Sequence, residues 1–187
     1  MTGLFQTAKE LQNVFMDKAW KFCFIGGVAL QRWGEMRLTR DVDVTLFTGF
    51  GSEEPAIDEL LTRYKPRVEN AKEFALANRV LLIESKSGIG MDVALGGIPF
   101  EEEMTRRATW FKFLPGLELL TCSAEDLIVL KAFADREQDW TDIKGVVIRQ
   151  QDRILWDYVR KQLEPLCLAK ESPGIMRHLD EIRRNVV

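Results

Sequence analysis

Histidine is nearly absent from this chain: His178 is the only one among 187 residues. A single histidine excludes zinc sites built from several histidines and argues against a Ser-His-Asp catalytic triad. Cysteine is also scarce, since Cys23, Cys122 and Cys167 stand far apart and form no CxxC pair. Neither a zinc ribbon nor a disulfide framework is therefore supported. We expect the three thiols to be small core side chains of a protein in a reducing compartment.

Long apolar runs are missing as well. No run approaches the ~18 residues of a membrane-spanning helix, and residues 1–6 lack the basic start and apolar stretch of a secretory signal peptide. The chain carries 26 basic and 29 acidic residues, a net charge of −3, so it has no overall positive field that would attract nucleic acid. Apolar residues make up 46% and charged residues 29%, which are ordinary values for a globular domain. We expect a soluble, cytoplasmic protein with no membrane partner.

The first 120 residues predict a small mixed sheet with flanking helices. Residues 41–47 alternate strictly between apolar and polar side chains, which is typical of a half-buried strand. Gly26 and Gly27 end a short apolar run and precede a short helical pattern. The runs on either side of the Ser-Lys-Ser-Gly turn at 85–88 predict a hairpin. The predicted elements are helices over 4–19, 28–33 and 53–64 and strands over 22–25, 41–47, 79–84 and 90–95.

From residue 121 onward the pattern is helical. Residues 123–126 (Ser-Ala-Glu-Asp) resemble a capping box, with Asp where Glu or Gln is usual, at the start of a helix that contains Lys131. Asp139 is placed to cap the next helix. A further helix is predicted over about 153–163, and a last one follows the break at 171–174. The predicted fold class is α+β, with a sheet-containing core over residues 1–120 and a helical C-terminal part over residues 121–187 packed on that core.

Two aspartates on one predicted strand carry the strongest functional signal. Asp41 and Asp43 are separated by one residue, so their side chains share a face about 6.5 Å apart. Asp92 lies between apolar neighbours in the second hairpin strand, and three carboxylates converge if that strand lies beside the first. Three close anions repel one another, and a divalent cation removes that cost. Oxygen ligands with open coordination positions suit Mg²⁺ bound together with substrate phosphates.

The pair Gly26-Gly27 supplies a second element of the same chemistry. Small residues let the backbone approach a ligand closely, and the helix that follows offers free N–H groups and a positive dipole end to phosphate. A lone Gly-Gly is usually only a turn, and a lone Asp-x-Asp is usually solvated surface. Their combination, with Asp92 in a second strand, indicates phosphoryl or nucleotidyl transfer involving a nucleotide.

Three basic residues allow two interpretations each. Arg37 and Arg40 flank the aspartates, where an arginine either holds a triphosphate or balances the acids. Lys131 lies on an otherwise apolar helix, from which it either reaches a phosphate or extends its ammonium to solvent at the helix edge.

These segments resemble a known family. Residues 24–27 (Phe-Ile-Gly-Gly) and 41–44 (Asp-Val-Asp-Val) match the hG[GS]…Dh[DE]h signature of polymerase β-type nucleotidyltransferases. Residues 37–44 (Arg-Leu-Thr-Arg-Asp-Val-Asp-Val) resemble the RxTxDhDh form of the minimal, AbiEii-like group. The later segments 123–131 and 139–143 are similar to the helical motif of that group. The resemblance covers roughly residues 20–150, and its first motif is the more specific one.

The resemblance implies a mechanism and a set of site residues. It implies that two Mg²⁺ ions clamp the α-phosphate of a nucleoside triphosphate while a hydroxyl attacks and pyrophosphate leaves. Asp41, Asp43 and Asp92 are then the catalytic and metal-binding acids, with Asp92 activating the acceptor hydroxyl. Gly27 stands where serine also occurs in the family, which removes one hydroxyl ligand to phosphate. The implied nucleotide-binding residues are Gly26, Gly27, Arg37, Thr39 and Lys131.

The acceptor is not indicated by the sequence. The family includes toxins of abortive-infection toxin–antitoxin pairs, antitoxins that nucleotidylate a toxin, and enzymes that modify antibiotics or RNA. The expected partners are therefore a nucleoside triphosphate and an acceptor that is RNA such as tRNA, a partner protein such as a cognate toxin or antitoxin, or a small molecule.

Two other functions fit parts of the pattern. One is a non-catalytic nucleotide-binding or interaction module, although all three acids are present. The other is a phosphatase of the haloacid-dehalogenase type, in which Asp41 of the sequence Asp-Val-Asp-Val-Thr would be the nucleophile. Against the phosphatase, residues 37–40 do not form a buried strand, and a predicted strand, glycine turn and helix precede the aspartates.

Overall fold

The computed structural model describes residues 2–186. The helices are α1 Thr2–Asp17, α2 Gly26–Trp33, α3 Glu54–Arg63, α4 Ala71–Asn78, α5 Pro99–Arg107, α6 Ala124–Ala134, α7 Glu137–Gln150, α8 Trp156–Ala169 and α9 Gly174–Val186. The strands are β1 Lys21–Phe24, β2 Val42–Phe47, β3 Lys65–Pro66, β4 Val80–Glu84, β5 Gly90–Gly96, β6 Thr109–Leu114 and β7 Leu117–Thr121.

The chain divides into two compact units. The first contains the residues up to Val28 together with Leu38–Cys122, and the second contains Ala29–Arg37 together with the residues from Ser123 onward. The inclusion of residues 29–37 in the helical unit was not predicted. It has a physical cause at the end of α2, where Arg149 donates to the Gly34 carbonyl at 2.7 Å and Gln150 donates to the Trp33 carbonyl at 2.7 Å.

The first unit is built on a mixed sheet in the order β3-β4-β5-β2-β1-β7-β6. Strands β2 and β5 are parallel, as are β1 and β7, and the other neighbours are antiparallel. The predicted α+β fold with a mixed sheet is therefore confirmed, and so is the hairpin of β4 and β5. The two edges of the sheet are the two-residue strand β3 and the six-residue strand β6.

One face of the sheet forms the core of this unit. Alternate residues such as Val42, Val44 and Val93 are fully buried there and pack with apolar side chains of α1, α3 and α4. Because strand side chains alternate between faces, the residues between them, including Asp43 and Asp92, project from the opposite face. Helix α5 contacts β1 and β2. The alternation predicted for residues 41–47 is thus what separates the core from the candidate site.

Several elements of the first unit were not predicted. Strand β6 reads Thr-Trp-Phe-Lys-Phe-Leu, is largely exposed and carries aromatic side chains on both faces, so it lacks the alternation that marks a half-buried strand. Helix α4 is flanked by Asn70 and Arg79, both with positive φ, and shows no side-chain cap in its sequence. Helix α5 and strand β7 also lie outside the predicted elements.

The helices of the second unit follow the prediction with two corrections. Ser123 caps α6 as expected, because its Oγ accepts from the Asp126 N–H at 3.1 Å. Asp139 does not cap α7, since the N-cap position belongs to Arg136 and Asp139 lies in the first turn. Its carboxylate binds two basic side chains instead of backbone N–H groups. Residues 151–153 form a short 3-10 turn, and α8 begins only at Trp156.

Two expectations from composition can be compared with the structure. All three cysteines are buried, as expected for small core side chains. None of the helices within residues 2–186 is both long enough and apolar enough to cross a membrane.

Replacing Ser123 by Ala is expected to lower the free energy of unfolding by about 1 kcal/mol, because the helix loses the oxygen that satisfies the Asp126 N–H. The measurement is urea denaturation followed by circular dichroism. Ser52→Ala serves as control, since Ser52 is exposed in a loop. Equal stability of the two variants would contradict the capping role of Ser123.

Candidate active site

The strand register places two acids side by side. β2 and β5 run parallel, and Asp43 is the register partner of Asp92. Neighbouring strands lie about 4.8 Å apart, and register partners project from the same face. Asp41 precedes β2 by one residue and lies two residues before Asp43, so it projects from the same side. All three acids therefore belong to the face of the sheet opposite the core, which we call the open face. The strand of Asp92 therefore lies beside the strand of Asp43, which is the condition for convergence stated above.

The carboxylate groups themselves turn to different partners. The Arg67 guanidinium forms an ion pair with Asp92 and lies 3.9 Å from Asp41. The Asp43 carboxylate instead accepts from the Gly27 N–H at 3.3 Å. Within residues 2–186, no three or more His, Cys, Asp or Glu side chains are grouped as metal ligands. The acids are thus neighbours in the sheet, with an arginine between two of them.

Arg67 was missed by the sequence reasoning. It directly follows β3, and its backbone N–H donates to the Leu82 carbonyl at 3.0 Å. Leu82 is in turn the register partner of Asp92, so Arg67 stands at the end of a row that crosses the sheet to Asp92 and Asp43. No local pattern marks this role, because it depends on strand pairing between residues that are far apart in sequence.

The environment of Asp92 favours its protonated form. Burial raises the pKa of the Asp92 carboxyl, and the nearby charge of Asp41 raises it further, while the Arg67 guanidinium partly opposes both effects. A carboxylate with a raised pKa is a better proton acceptor at neutral pH than an ordinary one.

The glycine turn is shaped by the residues around it. Gly26 has φ +51°, and a Cβ atom there would overlap the Asp43 carboxylate. A Cβ atom on Gly27 would overlap the Thr39 side chain. Glycine is thus required at both positions by neighbours that belong to the same site. The turn opens α2, so its first N–H groups carry the positive end of the helix dipole.

Thr39 has a polar group without a partner. Its Oγ1 atom is buried and makes no hydrogen bond within the described part of the chain. A buried hydroxyl left unpaired costs about 1–3 kcal/mol, and an oxygen of a ligand held at the glycine turn would remove that cost. Thr39 and the two glycines therefore form one local group in the first unit.

Arg37 and Lys131 lie together in the second unit. The Lys131 ammonium donates to Asp139 at 2.9 Å and to Asp142 at 2.6 Å, and its side chain is only 7% exposed. The interpretation that Lys131 extends to solvent is therefore wrong. Arg37 donates to the Asp142 carboxylate at 3.1 Å. Arg37 and Lys131 are thus both bonded to carboxylates of α7.

The two aspartates of this cluster are held in their ionised form. Burial of Asp139 opposes ionisation, but hydrogen bonds from Arg136 and Lys131 outweigh it and lower its pKa. Burial likewise opposes the ionisation of Asp142, and hydrogen bonds from Arg37, Lys131 and Gln138 outweigh it, so this pKa is lowered too. The cluster is an ion network of the helical unit that joins α6, α7 and the segment after α2.

The open face of the sheet has the donor chemistry of a magnesium site. Its candidate ligands Asp41, Asp43 and Asp92 are all carboxylates, and the side chains of Asp41 and Asp92 are 49% and 36% exposed. Mg²⁺ prefers such oxygen ligands in sites that leave positions for water and phosphate. The donor chemistry of these residues therefore fits this ion, although within residues 2–186 no three of them are grouped as ligands.

Comparison with known families identifies the chain. A family model described as "Nucleotidyltransferase of unknown function (DUF6036)" matches residues 2–180. The chain belongs to this family. Its membership makes the protein a nucleotidyltransferase, and no match was found among curated proteins. The phosphatase interpretation is wrong, both because of the family and because Asp41 precedes β2 rather than following a parallel strand.

Two solved structures are similar to this member of the family. The lincosamide antibiotic adenylyltransferase LnuA, in its lincomycin-bound form, aligns over 73% of this chain and 92% of its own, with a TM-score of 0.50 and 14% identity. An antigenic nucleotidyltransferase-like protein from Paracoccidioides brasiliensis aligns over 96% and 91%, with a TM-score of 0.48 and 13% identity. At this identity, the likeness to LnuA shows a common fold.

Replacing Gly26 by Ala is expected to destabilise the protein by about 2–5 kcal/mol. A left-handed backbone costs an L-residue about 1–2 kcal/mol, and the overlap with Asp43 adds about 1–3 kcal/mol. Gly88→Ala is the matched control, since Gly88 also has positive φ but a Cβ atom there would meet nothing within 4 Å. Chemical denaturation measures both, and equal losses would show that Asp43 does not constrain position 26.

Replacing Lys131 by Met is expected to cost about 3 kcal/mol at pH 7, because it leaves two buried carboxylates without their ammonium. The pKa of each aspartate is lowered in the folded state from 3.8. Their ionic stabilisation is therefore present above that pH and is lost as the pH falls through the lowered values. The stability difference between wild type and Lys131→Met should consequently shrink below about pH 4.

Urea denaturation between pH 3 and pH 7 measures this difference. Lys161→Met is the control, because Lys161 is exposed on α8 of the same unit. A cost for Lys131→Met that stays constant down to pH 3 would contradict the ion network.

Proposed function

We propose that this protein transfers a nucleoside monophosphate from ATP or another nucleoside triphosphate to an acceptor hydroxyl in a Mg²⁺-dependent reaction. The observation that carries the proposal is the register of Asp43 with Asp92 on parallel strands, with Asp41 on the same face. The N–H of Gly27 in the glycine turn binds Asp43, so the start of α2 lies beside these acids, and a helix start is suited to binding phosphate.

The candidate site residues of the first unit each have a role in this proposal. Asp41, Asp43 and Asp92 would hold the Mg²⁺ ions, and the family resemblance implies two such ions. When bound, these ions would neutralise charge on the transferred phosphoryl group. Thr39 offers an unpaired hydroxyl to phosphate oxygens, and Gly26 and Gly27 bring the positive end of α2 close to the same place.

The transfer itself exchanges one bond at the α-phosphorus for another. The acceptor oxygen forms a bond to the α-phosphorus, its proton passes to Asp92, and the bond from the α-phosphorus to the bridging oxygen of the β-phosphate breaks. The leaving group is pyrophosphate. Asp92 is the acid to which the family resemblance assigns the role of proton acceptor.

The acceptor and setting are proposed more broadly. The resemblance of residues 37–44 to the AbiEii-like group supports a toxin–antitoxin or phage-defence system with a cognate partner protein. The acceptor classes are then RNA such as tRNA, or that protein. A small molecule is the third class, in line with the antibiotic named for LnuA.

The first test is thermal unfolding with ATP, GTP, CTP and UTP, each with and without Mg²⁺. A ligand at ten times its Kd raises the free energy of unfolding by about 1.4 kcal/mol, which corresponds to a shift of several degrees. We expect one or more nucleotides to give this shift only with Mg²⁺. Asp43→Asn should abolish it, because the variant loses a charge at the proposed metal site.

Asp17→Asn is the matched control, since Asp17 is exposed at the end of α1. An equal nucleotide shift in Asp43→Asn and wild type would contradict the assignment of the site. Pyrophosphate release with RNA, protein and lincosamide acceptors then tests transfer. Binding that never leads to pyrophosphate would favour a non-catalytic module.

A further inference from the structure

Arg67 is bonded to two of the three acids on the open face. Its guanidinium pairs with Asp92 and lies 3.9 Å from the Asp41 Oδ1 atom. Its side chain is 27% exposed, which is less than that of either acid. Arginine presents several donors in a rigid fork, so one guanidinium is able to bind two carboxylates at once.

The fold makes room for this contact. A Cβ atom on Gly90 would overlap the Asp41 carboxylate and would lie 2.7 Å from the Arg67 Nη1 atom. The Arg67 backbone is fixed by its hydrogen bond to Leu82, directly across β4 from Asp92. The Arg67 backbone is thus held in place at the end of β3, and its side chain reaches the acids through the space left by the missing Cβ of Gly90. A surface side chain that meets a carboxylate by chance has neither feature.

The position of Arg67 also conflicts with the metal site. The carboxylates that the proposed function assigns to Mg²⁺ are the same ones that the guanidinium holds. A cation and a guanidinium compete for the same oxygens, because both draw their binding energy from the same negative charge. Binding of a divalent ion to Asp41 and Asp92 thus requires Arg67 to leave them.

We propose that Arg67 is a built-in counter-ion of this site, which holds Asp41 and Asp92 until a divalent cation displaces it, and which makes metal uptake depend on the nucleotide. The inference rests on the proposed function, since it assumes that these acids bind the metal. A triphosphate gives the displaced guanidinium a new partner, because arginine binds phosphate oxygens as well as it binds carboxylates. Metal alone then binds weakly, and metal with nucleotide binds well.

Arg67 is therefore a positioning residue, which acts through the acids that it holds. A purely structural ion pair would stabilise the fold and leave the metal affinity unchanged. A counter-ion that competes with the metal lowers the metal affinity of the free protein. Its removal therefore raises the metal affinity, although the variant loses stability.

The test is titration of the full chain with Mn²⁺, which prefers the same carboxylate ligands as Mg²⁺ and whose free fraction is measured by electron paramagnetic resonance. Arg67→Gln is expected to bind Mn²⁺ at least about tenfold more tightly than wild type in the absence of nucleotide, a change of about 1.4 kcal/mol. A non-hydrolysable nucleoside triphosphate should then improve Mn²⁺ affinity less in the variant than in wild type.

Two further variants keep the result interpretable. Arg67→Lys retains the charge but not the fork, so its Mn²⁺ affinity should lie between the other two, and it replaces Arg67→Gln if that variant does not fold. Arg63→Gln removes the same charge from an arginine that pairs with Glu59 on α3, and it should leave Mn²⁺ binding unchanged.

Failure of the inference differs from failure of the proposed function. If Asp43→Asn abolishes Mn²⁺ binding but Arg67→Gln and Arg67→Lys bind no more tightly than wild type, the counter-ion role is overturned and the metal site stands. If Asp43→Asn binds Mn²⁺ as wild type does, the metal site itself is wrong, and the role of Arg67 is overturned together with it.

Discussion

The parallel pairing of β2 with β5 sets the carboxylate of Asp43 directly beside that of Asp92, and several features of the first unit compensate these charges. Like charges on neighbouring strands repel, so each acid needs a compensating group. Asp43 obtains it from the Gly27 N–H at the positive end of α2, and Asp92 obtains it from Arg67. The glycines at 26 and 90 follow from the same constraint, because a side chain at either position would displace a carboxylate.

The two clusters of acidic side chains differ in how far neighbouring cations compensate their negative charge. On the open face of the sheet, Asp41 and Asp92 share the guanidinium of Arg67 and remain partly exposed, while Asp43 accepts from the Gly27 N–H. In the helical unit, two buried carboxylates, Asp139 and Asp142, are met by three cationic side chains, those of Lys131, Arg37 and Arg136. The first cluster keeps an excess of negative charge that a further cation can neutralise. The second is already compensated, which suits a network that holds helices together.

Local periodicity decided how much of this could be predicted. The alternation around Asp41 and Asp43, the β4–β5 hairpin and the Ser123 cap are properties of short segments, and the structure contains all three. Arg67 could not be found in the same way, because its role depends on strand pairing with residues 15 and 25 positions away. The attachment of residues 29–37 to α7 likewise rests on contacts across more than a hundred residues. The pair Gly26-Gly27 was visible in the sequence, but the positions of Asp43 and Thr39, which leave no room for a Cβ atom on either glycine, were not.

The edges of the sheet have unequal capacity for growth. At one side, β3 offers two residues, and Pro66 lacks the N–H that a neighbouring strand would need. At the other side, β6 offers six residues, with Trp110 48% exposed. A further strand beside β3 would therefore find only two residues to pair with and would lack the backbone donor at Pro66. This short, proline-containing strand thus protects that edge of the sheet against edge-to-edge pairing between molecules.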